Sequence, residues 1–256
     1  MNTNNYEYLN LTNDNLHNEH LCCIIRSKVS HPGVEKKREW LSQRIKDGHV
    51  FRKLNAKGCA FIEYAPLEKA FVPIEGKNYF YLYCEWVNGE VKGQGYGKEL
   101  MEYCLEDAKK HGRSGICMLG AQKQKAWLSD QNFAKSFGFK VVDSTPSGYE
   151  LLALSFDGAL PKFTVNAKTE KILNKELTIY YDFQCPYMYQ TIELIKQYGI
   201  DHRIPVNLIE VKNLQQAKDL PCAFNNFAVF YQGKFQTVNL LTNDSLERIL
   251  KNNGNN

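Results

Sequence analysis

Gly93, Gly95 and Gly97 alternate with Gln94 and Tyr96 between two lysines, Lys92 and Lys98. An aromatic stretch, residues 79–87, runs into this turn, and apolar residues at helical spacing follow it (Leu100, Met101, Cys104, Leu105, Ala108). A strand, a glycine turn and a helix in that order make an anion site. The helix N-terminus leaves amide N–H groups unpaired and carries roughly half a positive charge. Glycines let the backbone approach a ligand with no Cβ in the way, and the two lysines add charge. A diphosphate is the natural guest; the plainer alternative is a glycine turn that only caps its helix. A phosphate loop of the Gly-Lys-Ser/Thr kind is absent. A dinucleotide turn would follow the first strand of a parallel unit, whereas this one comes after several strands of a mostly antiparallel run.

Two carboxylates sit among aromatic and apolar neighbours, Glu63 and Glu85. Burial there would raise their pKa into the range useful to a general base; the alternative is a carboxylate tied up in a salt bridge. Strict alternation along 79–87 puts Tyr79, Tyr81, Tyr83 and Glu85 on one face and Phe80, Leu82, Cys84 and Trp86 on the other. Cys84 is a nucleophile by type, but no histidine is near it in sequence, so a buried thiol is the simpler reading. His17, His20, Cys22 and Cys23 are metal-ligand types. Adjacent cysteines on an extended segment point to opposite faces, so no metal centre is expected. Cys185, in Phe183-Gln184-Cys185-Pro186-Tyr187-Met188, stands where a strand meets a helix, and a helix dipole favours a thiolate at that position. Pro186 suits the first helical residue.

These residues are positioned by an ordinary globular chain of 256 residues, with 43% hydrophobic and 23% charged side chains and a net charge of +4. Neither a basic tail nor a long apolar run points to nucleic acid or a membrane. The Asn-rich start has no apolar core, so the expected location is the cytoplasm, where the eight cysteines would be mainly buried thiols. The pattern gives a strand at 6–11, a short helix from Asp14 toward Leu21, and a helix at 34–45 ended by Gly48. A hairpin follows at 50–55 and 59–64, with a strand continuation at 71–74, the aromatic strand at 79–87 and a helix at 98–111. Next come a strand at 116–119, a helix at 127–137, and a strand pair at 140–143 and 149–156. Residues 158–176 read as a linker between a first domain, 1–157, and a second, 177–256. The second alternates strand (177–183), helix (186–198), strand (206–211), helical turns (214–220), hairpin (227–232, 234–238) and helix (245–250), an α/β order.

With this order in view, Lys92-Gly93-Gln94-Gly95-Tyr96-Gly97 resembles the hallmark Gln/Arg-x-x-Gly-x-Gly/Ala of the GNAT acetyltransferases, with Lys92 at its first position. The resemblance covers roughly residues 5–156. It implies a mixed, mostly antiparallel sheet flanked by helices, and acetyl-CoA as cosubstrate with no metal. Backbone amides from Gly93 to Lys98 would cradle the pyrophosphate, and the strand end at Trp86 and Val87 would pair with the pantetheine arm. Glu85 and Glu63 are the candidate bases for direct transfer to an amine, on a small molecule or a peptide. Many family members carry a tyrosine four residues before the glycine of Phe137-Gly138-Phe139, placed to protonate the departing thiolate. Here that residue is Ala134.

The second domain resembles a thioredoxin-like fold with Cys185 at the glutaredoxin-type position and Met188 where a resolving cysteine would stand. That likeness implies a cis-proline at Pro221, which could bring Cys222 toward Cys185; a redox-inactive fold shaping a pocket is equally compatible. A thiol-dependent redox or thiol-binding protein with a CoA-sensing first domain is therefore the alternative function. The joined pattern resembles the YoaP-like acetyltransferases, in residues 226–235 and 148–152, and an exposed hairpin near 227–238 leaves room for a homodimer.

Overall fold

The computed structural model describes residues 6–21 and 31–252. A seven-stranded sheet is built from β1 (Tyr8–Asn10), β2 (Val50–Leu54), β3 (Cys59–Pro66), β5 (Tyr79–Asn88), β6 (Gly115–Ala121), β8 (Tyr149–Ser155) and β7 (Lys140–Ser144), in that spatial order. Neighbours are antiparallel except β5 and β6, which run parallel. Residues 127–130 are irregular, and the helix expected over 127–137 is confined to α3 (Gln131–Ser136). Asp130 explains the late start: its Oδ1 accepts from the amides of Asn132 and Phe133 at 2.8 and 3.2 Å, an N-cap three residues into the apolar pattern. Residues 13–19 form turns, not the helix that Asp14 suggested.

Two helices cover opposite faces of this sheet. α2 (Tyr96–Lys110) buries Leu100, Met101, Cys104 and Ala108 against Ile62, Tyr64, Phe80 and Leu82. α1 (Pro32–Ile45) lies on the other side over Phe51, Cys59 and Phe61, with Leu41 fully buried. His31 caps α1, its Nδ1 accepting from the Gly33 amide at 3.1 Å. Beyond α1, the same face carries Tyr79, Tyr81, Tyr83, Cys117, Leu119, Tyr149 and Leu151. These residues are covered by the second half of the chain, whose Ala223 and Val238 join their cluster.

The segment read as a linker is partly structured. Within it β9 (Lys162–Phe163) pairs with β4 (Ile74–Glu75), so only the end of the strand expected at 71–74 forms, and Phe163 is buried.

The second half holds β10 (Leu177–Tyr181), α4 (Tyr187–His202), β11 (Val206–Glu210), α5 (Leu214–Lys218), β12 (Phe227–Tyr231), β13 (Lys234–Thr237) and α6 (Asn243–Asn252). Its sheet has the order β11-β10-β12-β13, with β10 and β11 parallel and the other pairs antiparallel. Alternation along β12 sends Phe227 and Val229 to the face packed by α4 and α6, and Ala228 and Phe230 to the opposite face.

Candidate functional site: two cavities across a divided sheet

β5 and β6 pair at three register positions only, Tyr79 with Gly115, Phe80 with Ile116 and Tyr81 with Cys117. Beyond Tyr81 the strands part, and β5 continues to Asn88 paired with β3 alone. The Glu85 N–H points into the opening and meets Ser129 Oγ at 3.3 Å. Because strand residues alternate the edge to which their peptide groups point, those of Val87 face the opening too. A divided sheet of this kind presents unpaired strand backbone to a ligand.

The pairing of β5 with β3 contains a bulge. Glu63 lies opposite Cys84 and Tyr64 opposite Leu82, leaving Tyr83 as an extra residue. The bulge reverses the alternation after Tyr83, and the face assignment drawn from sequence is corrected accordingly. Glu85 lies with Leu82 and Val87 on the α2 face, away from Tyr79, Tyr81 and Tyr83, while Cys84 lies on the opposite face with Tyr83.

On the α2 face is a cavity of about 480 Å³. Its walls include Trp86, Val87, Lys92, Gly93, Gly95, Tyr96, Gly97 and Lys98, together with Glu85, Phe133 and Ala134. Gly95 caps α2 with φ +93°, and Gly93 has φ +78°. Those left-handed values favour glycine at both positions. Gln94 turns its side chain back to the Glu90 carbonyl. Of the residues expected to contact CoA, all but Gln94 line this cavity. Glu85 Oε1 is buried without a hydrogen-bond partner, beside Gly97. Burial pushes its carboxyl up to about 8.

On the opposite face a second cavity, of about 350 Å³, lies between the two halves of the chain. β3 and β5 supply Phe61, Glu63, Tyr83, Cys84 and Trp86; the loop before α3 supplies Trp127 and Leu128; the second half supplies Gln184, Cys185, Pro186, Asn225, Asn226 and Leu240. Trp86 and Ser129 line both cavities, so the two share a wall on the stretch of β5 beyond its parting from β6.

Glu63, completely buried, sits at the floor of the second cavity. Lys37 Nζ and Gln184 Nε2 donate to its Oε2 at 2.6 and 2.8 Å, and His49 Nε2 lies 3.0 Å from its Oε1. Burial alone would raise the Glu63 carboxyl, but Lys37 and His49 more than offset it and hold the group below its usual value. This corrects the expectation that its surroundings would raise it; three donors had not been visible in sequence. Burial likewise pulls on the Lys37 ammonium, and Glu63 more than offsets that pull. His49 is driven down by burial and stays neutral, so its Nε2–H donates to Glu63. Lys37 and His49 had no signal in the sequence: a lysine on an amphipathic helix reads as solvated, and 26 positions separate it from its partner.

Cys84 and Cys185 line the same cavity, and burial drives the Cys84 thiol up. Cys222 does not join them. It is fully buried with Phe224, Ala228 and Phe230, on the face of the second sheet opposite α4, whose start follows Cys185. Among the described residues no peptide bond is cis, so Pro221 is not the cis-proline implied by the resemblance. Cys22 and Cys23 of the suggested metal set lie outside the described residues. No helix among the described residues is long and apolar enough to cross a membrane.

A mixed sheet parted at its one parallel pair, with a glycine turn and helix N-terminus beside the opening, defines an acyltransferase architecture. Residues 13–139 match the acetyltransferase (GNAT) family and residues 205–248 the YoaP-like family. The chain is 32% identical over 245 residues to a Bacillus subtilis (strain 168) protein named uncharacterized N-acetyltransferase YoaP, covering 95% of this chain and 98% of that one. It belongs to the GNAT acetyltransferase family and carries a YoaP-like C-terminal region. Solved structures with partial likeness include a GNAT family acetyltransferase from Brucella melitensis in complex with acetyl-CoA, at 15% identity over 61% of this chain and 93% of that chain, TM-score 0.39. Another is the PaiA N-acetyltransferase of Thermoplasma acidophilum in complex with coenzyme A, at 16% identity over 59% and 99%, TM-score 0.41.

Proposed function

We propose that the protein transfers an acetyl group from acetyl-CoA directly to an amine. The observation that carries this reading is the opening between β5 and β6, with the glycine-capped start of α2 beside it and a cavity on each face. The pyrophosphate would lie on the amides from Gly93 to Lys98, with Lys92 and Lys98 adding charge. The pantetheine arm would follow the unpaired edge of β5 at Trp86 and Val87, bringing the thioester to the level of Trp86 and Ser129. The acceptor would approach from the cavity between the halves. Its neutral nitrogen attacks the thioester carbonyl, the carbon–sulfur bond breaks, the nitrogen releases one proton to solvent, and CoA leaves as a thiolate that takes one up.

Three residues chosen from the sequence receive distinct roles. Glu85 lies in the same cavity as Ala134, on the side from which a thiolate would be protonated. A carboxyl held near 8 keeps its proton at neutral pH, so we assign Glu85 as the proton donor in place of the missing tyrosine, not as the base. Glu63 is a positioning residue: its charge is spent on Lys37, His49 and Gln184, and it ties the cavity floor to the second half of the chain. Cys185 forms part of the cavity wall. An amine entering a mostly apolar cavity sheds its proton more easily, because desolvation disfavours the charged form. We read the second half, whose strands run in the order β11-β10-β12-β13, as a thioredoxin-like scaffold for this wall.

Calorimetric titration with acetyl-CoA tests the reading. Saturable binding by the native protein, lost in Gly95→Glu, is expected. A native protein that fails to bind acetyl-CoA would overturn it.

A further inference from the structure

We infer that the acceptor is a small amine whose body is a flat, apolar ring carried on a short arm, and not a polyamine or a polypeptide N-terminus. The inference rests on the acetyl-transfer reading and concerns the cavity between the two halves. At about 350 Å³, that cavity is near the small end of ligand pockets, which span roughly 300–1,000 Å³. Its walls are mostly apolar, with the rings of Phe61, Tyr83, Trp86 and Trp127 on one side and Pro186 and Leu240 contributed by the second half.

The polar groups at the floor are already committed to one another. Lys37 and Gln184 both donate to Glu63, and Asn226 Nδ2 donates to Gln184 Oε1 at 2.8 Å. Asn225 accepts from Tyr81 Oη at 2.7 Å and donates to the Tyr83 carbonyl at 3.4 Å. A polyamine brings further ammonium groups, each needing a carboxylate, and among the described residues the one carboxylate lining this cavity, Glu63, is neutralised by Lys37. A peptide brings backbone N–H and C=O groups that are costly to bury without partners. A ring with a single amine makes neither demand. Its nitrogen would reach the end lined by Trp86 and Ser129, which border both cavities, and its ring would rest on Trp127 and Leu240.

Trp127 supplies an independent observation. It is 46% exposed and has φ +67°, a left-handed conformation that is an outlier for so bulky a residue and a kind of strain that collects at ligand sites. Its ring meets that of Tyr187, in the first turn of α4, at 5.3 Å. The cavity rim is thus an aromatic contact between the two halves.

The experiment measures acetylated product by mass spectrometry, using 2-phenylethylamine and tryptamine against spermidine, methylamine and a peptide with a free N-terminus. The full-length protein is used, with acetyl-CoA affinity followed by calorimetry throughout. The ring amines should exceed spermidine and the peptide in kcat/KM by about ten-fold or more, the discrimination that pocket contacts supply. Leu240→Trp, which fills the cavity from the second half, should lower turnover of the ring amines by about ten-fold or more relative to its effect on methylamine. Trp127→Ala should raise KM for the ring amines, and both variants should bind acetyl-CoA as the native protein does. Equal or better turnover of spermidine or the peptide would overturn the inference. So would an equal loss for methylamine and the ring amines in Leu240→Trp, or acetyl-CoA binding with no ring amine acetylated. Failure to bind acetyl-CoA at all would instead overturn the acetyl-transfer reading on which the inference rests.

Discussion

Glu85 shows how much one extra residue changes. Its type and position mark it as an acid–base group in the sequence, but strict alternation sends it to the face of Tyr79, Tyr81 and Tyr83. The bulge at Tyr83 sends it to the other face, toward Ala134 and the start of α2. Nothing in the local sequence announces a bulge, because it comes from pairing with β3. The reassignment has a pH signature. A proton donor with a carboxyl near 8 is active when protonated, so kcat should be level below about pH 7 and fall as pH rises through about 8. A general base at the same position would give the opposite limb, and such a profile would end the assignment. Glu85→Gln should lower kcat by about 10²-fold, a typical contribution of a general acid, and remove that limb. Stability follows the same sign. The folded-state pKa lies above the usual 4.5, so the folded form is favoured most below that value and loses stability as pH rises through about 8. Thermal denaturation of Glu85→Gln against the native protein should therefore show the variant gaining at pH 9 relative to pH 5.

At the level of elements, the features with strong local signals were legible in the sequence. The aromatic strand, the glycine turn and the apolar stripe of α2 are all present within two residues of the expected bounds. Elements whose limits depend on a single cap or a distant partner were not: α3 starts late because of Asp130, and β4 forms only where β9 reaches it. The same distinction applies to Gly33. In sequence, His31-Pro32-Gly33 is a turn signal, and its role in packing is visible only in three dimensions. A Cβ on Gly33 would run into the carbonyl oxygen of Pro186, at the start of α4. Gly33 is what lets α1 approach that turn, next to Cys185 and the cavity floor held by Lys37. Gly33→Ala should cost about 1–3 kcal/mol, as overpacking does, and raise KM for the acceptor while leaving acetyl-CoA affinity unchanged. Denaturant unfolding and calorimetry together check this. A variant as stable as the native protein would mean that α1 and α4 can separate freely.

At the scale of the molecule, the two regions read from sequence are not independent bodies that happen to be joined. A sheet needs both faces covered if both are apolar. α2 covers one face of the first sheet, and α1 covers only part of the other. The remainder, around Tyr79, Tyr81, Cys117, Leu119 and Tyr149, is closed by Phe163, Ala167, Ala223 and Val238, all beyond residue 157. Specific hydrogen bonds fix the fit. Tyr149 Oη accepts from the Val238 amide at 3.1 Å, Tyr81 Oη donates to Asn225, and Lys218 Nζ donates to the carbonyls of Leu67 and Ile74 at 2.9 Å each. Burial pulls the Lys218 ammonium down to about 8, as befits a cation held by carbonyl dipoles away from water. Residues 1–157 alone would expose that apolar face and leave Tyr81 and Tyr149 without these partners, and an apolar surface of that kind drives association. The truncated chain should therefore aggregate, or bind a hydrophobic dye with loss of near-ultraviolet dichroism, even though it keeps every residue of the glycine turn. A soluble, monomeric 1–157 that unfolds cooperatively near the native Tm would contradict this. It would reduce the second half to a detachable neighbour, and acceptor specificity would then have to be sought on the first sheet alone.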